Sequence, residues 1–237
     1  MTVKYIDIVL KFIVSFPNMH VGIIMDGNRR WAKAKNLPTL LGHAKGAKNI
    51  EKVIKFASKN GASIITLYIL STENLVNRTK KEILTLMTLI ADFAANMRTK
   101  LIKQDVCVTI LGDITDLPSG TKTALQKLVL DTQNCLKVKL QICVNYGGRD
   151  EIVRSVRRLI KENKEITEQN IADSLDSPSS PDLIIRTGGN KRLSNFLTWQ
   201  SAYSELYFTD VLWPDFDEPE YQKALAFFHS ENRNFGK

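Results

Sequence analysis

A chain of 237 residues with 43% apolar and 24% charged side chains is long enough for one large domain with a full core, and does not demand two. Lysine and arginine outnumber aspartate and glutamate 33 to 25, and the resulting charge of +8 favours an anionic partner: nucleic acid, anionic lipid or a phosphorylated small molecule. The three cysteines, Cys107, Cys135 and Cys143, show neither a CxxC pair nor a histidine at ligand spacing, which argues against a zinc motif and for reduced thiols in a cytoplasmic protein. Residues 3–16 (VKYIDIVLKFIVSF) carry Lys4, Asp7, Lys11 and Ser15 at helical spacing against a wide apolar face. This segment is too short and too charged to span a bilayer, and it lacks a small-residue cleavage site. It reads as a helix that either packs on the domain or touches a membrane surface or partner. Pro17 ends it, so the expected division is a helical extension over 1–17 and one domain over 18–237.

A short apolar run, Val21 to Met25, predicts a buried strand that stops at the turn cluster Asp26-Gly27-Asn28. A helix follows from Trp31, and another opens near Gly42-His43. Gly46 to Asn60 is helical, with Ala47, Ile50, Val53, Ile54 and Ala57 on one face and Gly61 as C-cap. Ser63 to Leu70 is a second strand, running into the polar turn Ser71-Thr72-Glu73-Asn74. Thr79 caps a long helix that reaches about Gln104 and carries an apolar stripe from Ile83 to Leu101. Val106 to Leu111 is a third strand, ended by Gly112-Asp113, and a helix covers Thr121 to Cys135. Leu140 to Val144 is a fourth strand that empties into Asn145-Tyr146-Gly147-Gly148-Arg149. Helices follow near Asp150–Glu162 and Thr167–Leu175, then a Pro-punctuated loop, Asp176 to Pro181. Asp182 to Ile185 is a fifth strand, leading into the run Arg186 to Ser194. Aromatic strand-like and helical pieces alternate after it, ending in a helix near Pro219–Asn232.

Strands alternating with helices predict an α/β fold: a single domain with a mostly parallel central sheet flanked by helices. The carboxyl ends of such strands share one edge, where ligands bind. Four of the five strands end there in polar turns rich in glycine, arginine or hydroxyl groups: Asp26–Arg30, Ser71–Asn74, Asn145–Arg149 and Arg186–Ser194. That set suits one or two diphosphates, with guanidinium forks, close backbone N–H groups and a carboxylate for a bridging cation. No GxxxxGK[ST] occurs, no GxGxxG follows the first strand, and no DDxxD or zinc spacing is present. Basic residues are dispersed instead of forming a stripe with interleaved aromatics, so no nucleic-acid partner is expected.

The segments HVGIIMDGNRRWAK, Gly42-His43 to Gly46, STEN with Arg78 and Glu82 after it, NYGGR, RTGGNKRLSNF and ELYFTDVLWPDF occur in one order over residues 18–236. Together they resemble the cis-prenyltransferases, in particular the bacterial undecaprenyl diphosphate synthases. The resemblance implies a homodimeric, magnesium-dependent enzyme with a hydrophobic tunnel beside its sheet. Such an enzyme condenses isopentenyl diphosphate with an allylic diphosphate, usually farnesyl diphosphate, toward a long cis-polyprenyl diphosphate for cell-wall lipid carrier synthesis. It further implies peripheral membrane contact for release of the product. A shorter-chain synthase and a non-catalytic subunit of a prenyltransferase complex are the alternatives.

By the same resemblance, Asp26 and Glu205 hold Mg2+, and Asp26, Asn28, Ser71 and Asn74 serve catalysis. Gly27, Arg29, Arg30, Trp31, His43, Ser71, Thr72, Glu73 and Arg78 bind substrate, while Arg186, Arg192 and Ser194 hold the isopentenyl diphosphate. Arg233 and Gly236 match a C-terminal arm that closes over the site. The tunnel walls would come from the Ile83–Leu101 helix and the strands carrying Ile69 and Ile142. Taken alone, Trp31, Trp199 and Trp213 read as packing, His43 as a capping or surface residue, and Arg149 as a plain helix start. Thr39, Ile69, Leu70, Leu75 and Lys191 depart from common family residues, and the bulk of Ile69 could shorten the tunnel.

Overall fold

A computed structural model describes residues 19–231. The expected N-terminal extension, and Asn232, Arg233 and Gly236 at the other end, lie outside the described residues. Six strands form one sheet: β1 (Met19–Ile24), β2 (Ala62–Ser71), β3 (Val106–Leu111), β4 (Val138–Tyr146), β5 (Leu183–Arg186) and β6 (Glu205–Phe208). Every pairing is parallel, and the order is β3-β4-β2-β1-β5-β6. β1 is buried along its whole length, as a strand with neighbours on both sides and layers on both faces must be. The chain leaves β1 toward β2 on one side and returns to its other side with β5. That reversal opens a crevice at the carboxyl end of β1, directly before Asp26.

The helices are α1 (Asn28–Ala34), α2 (Thr39–Lys59), α3 (Thr72–Asn77), α4 (Lys80–Lys103), α5 (Ser119–Thr132), α6 (Gly148–Lys161), α7 (Glu168–Ser174) and α8 (Glu218–Ser230). Thr79 caps α4 as expected: its hydroxyl accepts from the Glu82 N–H, and the Glu82 carboxylate accepts from the Thr79 N–H, a complete capping box. The two helix starts expected near Gly42 and Gly46 are one helix, because Pro38 at its N-cap lets it begin at Thr39. The Ser71–Asn74 turn is the start of α3, with Ser71 as N-cap. β6 stands where the sequence offered only alternating pieces; at four residues it is too short for a period to show.

One sheet face carries the main core, in which Val21, Ile23, Ile65 and Leu67 meet Val53, Ile54 and Leu101 of α2 and α4. The other face carries a smaller apolar cluster of Ile24, Cys143, Tyr146, Ile184 and Phe196. Beside it runs a buried polar line. His20 Nε2 and Thr66 Oγ1 are 2.7 Å apart, Thr66 donates to Gln141 Oε1 (2.6 Å), and Gln141 donates to Ser177 Oγ (2.9 Å). His20 is 2% exposed, and burial, helped by Lys139, holds its pKa down at about 4 against the opposing pull of Asp182. The folded state therefore keeps this ring neutral where the unfolded chain, near 6.5, already takes up a proton. Stability is expected to fall as pH drops from 6.5 to 4, read as a declining urea midpoint, and His20→Gln should show a shallower decline over the same window.

Candidate active site

Asp26 occupies the crevice. Its backbone oxygen accepts from Trp213 N–H (3.0 Å) and from the Thr187 hydroxyl (2.7 Å), which fixes the main chain. Its Oδ1 accepts from Arg30 Nη2 (2.9 Å), and its Oδ2 accepts from Arg186 Nη2 (3.0 Å) and Asn190 Nδ2 (2.8 Å). Burial raises the Asp26 pKa, but the hydrogen bonds from Asn190, Arg186 and Arg30 outweigh it, and the carboxyl sits below its ordinary value. Asp26 is an anion at neutral pH. Arg186 is 5% exposed, and its Nη1 donates to the Arg192 carbonyl (2.5 Å) and to Ser194 Oγ (2.7 Å). The Arg30 Nη1 donates to the Gly188 carbonyl (2.6 Å), so the loop after β5 is tied to α1 through this one side chain.

The glycines explain themselves by close approach. Gly27 has φ +119 and Leu212 packed against it, so a side chain there is excluded twice. A Cβ on Gly46 would lie 2.2 Å from Asn28 Oδ1, and one on Gly42 would lie 2.1 Å from the Asn28 carbonyl. The four-residue spacing from Gly42 to Gly46 thus stacks two bare positions on one face of α2, where α1 and Asn28 lie. His43, between them, lines the cavity. Burial, then the positive charges of Arg78 and Arg29, lowers its pKa to about 4, so the ring is neutral in the ligand-free chain.

Below this lies a cavity of about 500 Å³. Asp26, Gly27, Asn28, Arg29, Arg30, His43, Ser71, Asn74, Arg78, Arg186 and Ser194 form its polar end. Met25, Ile50, Ile69, Leu86, Leu89, Ile90 and Phe93 form the apolar end. Ser71 Oγ accepts from both the Asn74 N–H (3.1 Å) and Asn74 Nδ2 (2.7 Å), which turns the asparagine toward the same space.

Other expected residues stand elsewhere. Trp31 is buried under α1, with the Lys35 ammonium 5.2 Å from its ring centre, and is not a wall of the cavity. Thr72 packs against Gly147 in the turn after β4, and Glu73 accepts from Asn195 Nδ2 (2.8 Å) and braces the loop after β5. Arg192 presents its carbonyl to Arg186 while its side chain is exposed and not a wall of the cavity. The Asn145–Arg149 turn is not part of the cavity. Asn145 donates to Asp113 O (2.7 Å), and Gly148 and Arg149 N–H groups donate to Asn195 O and Oδ1 (2.7 and 2.9 Å), a structural clasp. Ile142 belongs to the core, not to a tunnel wall. Glu205 begins β6 level with Leu183, whereas Arg186 is level with Phe208, so within one chain Glu205 lies at the opposite sheet edge from Asp26.

Among the described residues no group of three or more His, Cys, Asp or Glu side chains could hold a metal. A single ionised carboxylate facing a cationic cavity fits Mg2+ nonetheless, because that ion is commonly held by one or two carboxylates plus the phosphates of its substrate. Asn190, Thr187 and Tyr68 are site-shaping residues that sequence reasoning gave no role, and Trp213, read there as packing, also lines the cavity. The signal for Asn190 was its place after two glycines, which adopt φ +81 and +78. Trp213 donates from its indole to Gly46 O (2.9 Å) and lines the cavity beside it.

Fold and site together define an α/β enzyme whose one cavity at the sheet's switch point joins a guanidinium-rich wall to an apolar one. Residues 24–236 match the sequence model of a prenyltransferase family described as "Putative undecaprenyl diphosphate synthase". An isoprenyl transferase of Fusobacterium nucleatum is 45% identical over 220 residues, covering 92% of this chain and 95% of that protein. One from Bacillus cereus is 42% identical over 226 residues, covering 92% and 87%. The crystal structure of lavandulyl diphosphate synthase from Lavandula x intermedia in complex with dimethylallyl diphosphate superposes with a TM-score of 0.88 at 34% identity, covering 92% of this chain and 98% of that one. The chain belongs to the cis-prenyltransferase family, and it is a prenyl transferase.

The crowding at Gly46 gives a direct test. Gly46→Ala should displace Asn28 and lower prenyl transfer by roughly tenfold or more while the circular dichroism spectrum stays that of the native fold. An active variant with an unmoved Asn28 would show that α2 yields instead.

Proposed function

We propose that this chain is a magnesium-dependent synthase that condenses isopentenyl diphosphate with an allylic diphosphate, farnesyl diphosphate being the expected primer, to a long-chain cis-polyprenyl diphosphate of the undecaprenyl class. The observation that carries this is the cavity itself: among the described residues its wall combines four arginines and a single acid with an apolar lining from α4 and β2. At ~4 Å each cation–phosphate pair is worth up to about 4 kcal/mol at an effective dielectric near 20, before desolvation.

In this reading Arg29, Arg30, His43 and Arg78 take the allylic diphosphate, and Arg186 and Ser194 take the isopentenyl diphosphate, with the exposed Arg192 side chain turning in from the rim to join them. Asp26 lies between the two groups, bonded to Arg30 and Arg186, where it would hold Mg2+ against the phosphates. A bound magnesium ion supplies Lewis acidity to the leaving diphosphate. The arginines take up the charge that develops on that leaving group as the allylic bond breaks. The isopentenyl double bond attacks the resulting cation, and one proton then passes from the new chain to the released diphosphate. Ser71 and Asn74 stand at the border between the polar and apolar ends, where the reacting carbons would meet.

The homodimer belongs to the same proposal. β6 is one of the two edge strands of the sheet, and Tyr203 before it and Leu206 within it are 72% and 36% exposed. A second copy docked there is one way for Glu205 to serve a site other than its own. Peripheral membrane contact is supported by the stretch from Gly27 to Ile50, which contains six lysines and arginines and no acid. Leu37, Leu40 and Leu41 are exposed within it. Among the described residues no helix is long and apolar enough to cross a membrane.

A shorter-chain synthase is the second reading, favoured by one observation. Ile69 stands in the cavity wall, and 500 Å³ is the size of a pocket that encloses a drug-sized molecule. A chain of fifty-five carbons would have to pass beyond Phe93.

Incorporation of labelled isopentenyl diphosphate into butanol-extractable lipid, with farnesyl diphosphate and magnesium, tests the proposal. Wild type should yield a product ladder, and a folded Asp26→Ala should lose at least about a hundredfold in rate. A ladder that ends short of the undecaprenyl length would select the second reading. No product from folded wild type across several primers would overturn the proposed substrates and favour a supporting subunit.

A further inference from the structure

We propose that Tyr68 is a positioning residue whose hydroxyl joins the two halves of the site, linking the Ser71–Asn74 start of α3 to the Arg186–Ser194 loop across the cavity. The inference rests on the prenyl-transfer reading above, which needs two substrates held in one register.

Tyr68 lines the cavity near the carboxyl end of β2. Its Oη lies 3.2 Å from the Ser194 carbonyl and 3.3 Å from the Tyr146 carbonyl, and the Ser71 side chain stands close enough to act on the phenol. Counting protons orders these bonds. Ser71 Oγ already accepts twice from Asn74, so its own O–H is free to donate to Tyr68 Oη. The single Tyr68 proton then goes to the carbonyls. A continuous line results: Asn74 to Ser71, Ser71 to Tyr68, and Tyr68 to Ser194. The Ser194 hydroxyl in turn accepts from Arg186, which holds Asp26. The ring is fixed independently, stacked on Phe196 at 4.8 Å and 23° and set edge-on to Tyr146 at 6.1 Å and 84°.

The backbone is built to allow this line. In an unbroken strand Tyr68 and Ser71, three apart, would point to opposite faces. The β2–β4 register slips here: Tyr68 is level with Cys143, Leu70 with Val144 and Ser71 with Tyr146, leaving Ile69 unpaired. Leu70 accordingly joins the same core cluster as Leu67, three residues earlier. The bulge brings Ser71 to the side of Tyr68, as bulges beside active sites re-aim side chains. The phenol is not a proton source at neutral pH, since burial and the nearby Glu73 push its pKa well above the ordinary value. Its contribution is geometric. Two reacting carbons must meet at near-attack distance, and small errors in placement cost rate steeply.

Tyr68→Phe removes the hydroxyl and keeps the ring on Phe196. We expect a melting temperature close to wild type, kcat lower by about tenfold, and KM for each diphosphate within about twofold, because the hydroxyl touches the holders and not the phosphates. The double variant Tyr68→Phe/Ser71→Ala should be no slower than the slower single variant, within about twofold, as members of one line are not additive. Amide exchange should quicken together in segments 71–77 and 192–196 of Tyr68→Phe, including in the ligand-free protein. A wild-type kcat in Tyr68→Phe, multiplying effects in the double variant, or exchange that quickens in neither segment or only one would each overturn the linkage. If wild type makes no product, the prenyl-transfer reading falls, and the exchange comparison decides the linkage by itself.

Discussion

The pairing of Arg186 with Asp26 joins the end of β5 to the turn after β1, and most of the site is arranged around it. A buried guanidinium costs several kcal/mol in lost hydration unless its donors are satisfied. Here Nη1 and Nη2 are spent on Ser194, the Arg192 carbonyl and Asp26, while Nε has no partner. The pair therefore does little for net stability; removal of Asp26 would leave the buried Arg186 uncompensated, whereas Asp26 without Arg186 would still have Arg30 and Asn190. What it gives is order: the loop 186–194, the α1 turn and the carboxylate take up one arrangement. Asn190 and Arg30 close the same arrangement from two further directions.

That arrangement leaves an imbalance that suits an anionic ligand. Among the described residues Asp26 is the one acid in the cavity wall, set against Arg29, Arg30, Arg78 and Arg186. His43 stands in the same field: burial first, and then two of those arginines, hold its pKa near 4. Such a field is favourable for an entering diphosphate and for the charge that grows on it as it leaves.

Much of this was legible in the sequence, and the exceptions have physical causes. The capping box at Thr79 and Glu82, the burial of β1 and the polar strand ends are all local, and local patterns are what a sequence displays. The Asn145–Arg149 turn resembled a fourth wall because it lies at the same sheet edge. Yet β4 is separated from β1 by β2, and strand order is a tertiary fact that no short pattern encodes. The bulge at Ile69 hid the role of Tyr68, since a period of two predicts Ser71 on the other face. The paired glycines at 42 and 46 read as a motif, but their cause is the approach of Asn28 from another helix. Glu205 lies at the far sheet edge, so any share it has in a metal site must come from outside its own cavity.

The α4 stripe shows how one pattern can serve two purposes. Met97 and Leu101, toward its carboxyl end, are buried in the main core, while Leu86 and Leu89, toward its start, are half-buried against the cavity. The stripe is one face of one helix, and what differs is whether protein already fills the space opposite. Ile90 and Phe93 belong to both, closing the cavity from the core side. An apolar chain entering from the diphosphate end would gain about 0.8 kcal/mol for each carbon it hides. Each five-carbon unit would thus gain roughly 4 kcal/mol by that measure. The polar end holds charge in one place while the apolar end rewards growth in one direction. In the proposed reaction a site so divided would add units to a chain without releasing it, its reach set by how far the wall at Ile69 and Phe93 gives way.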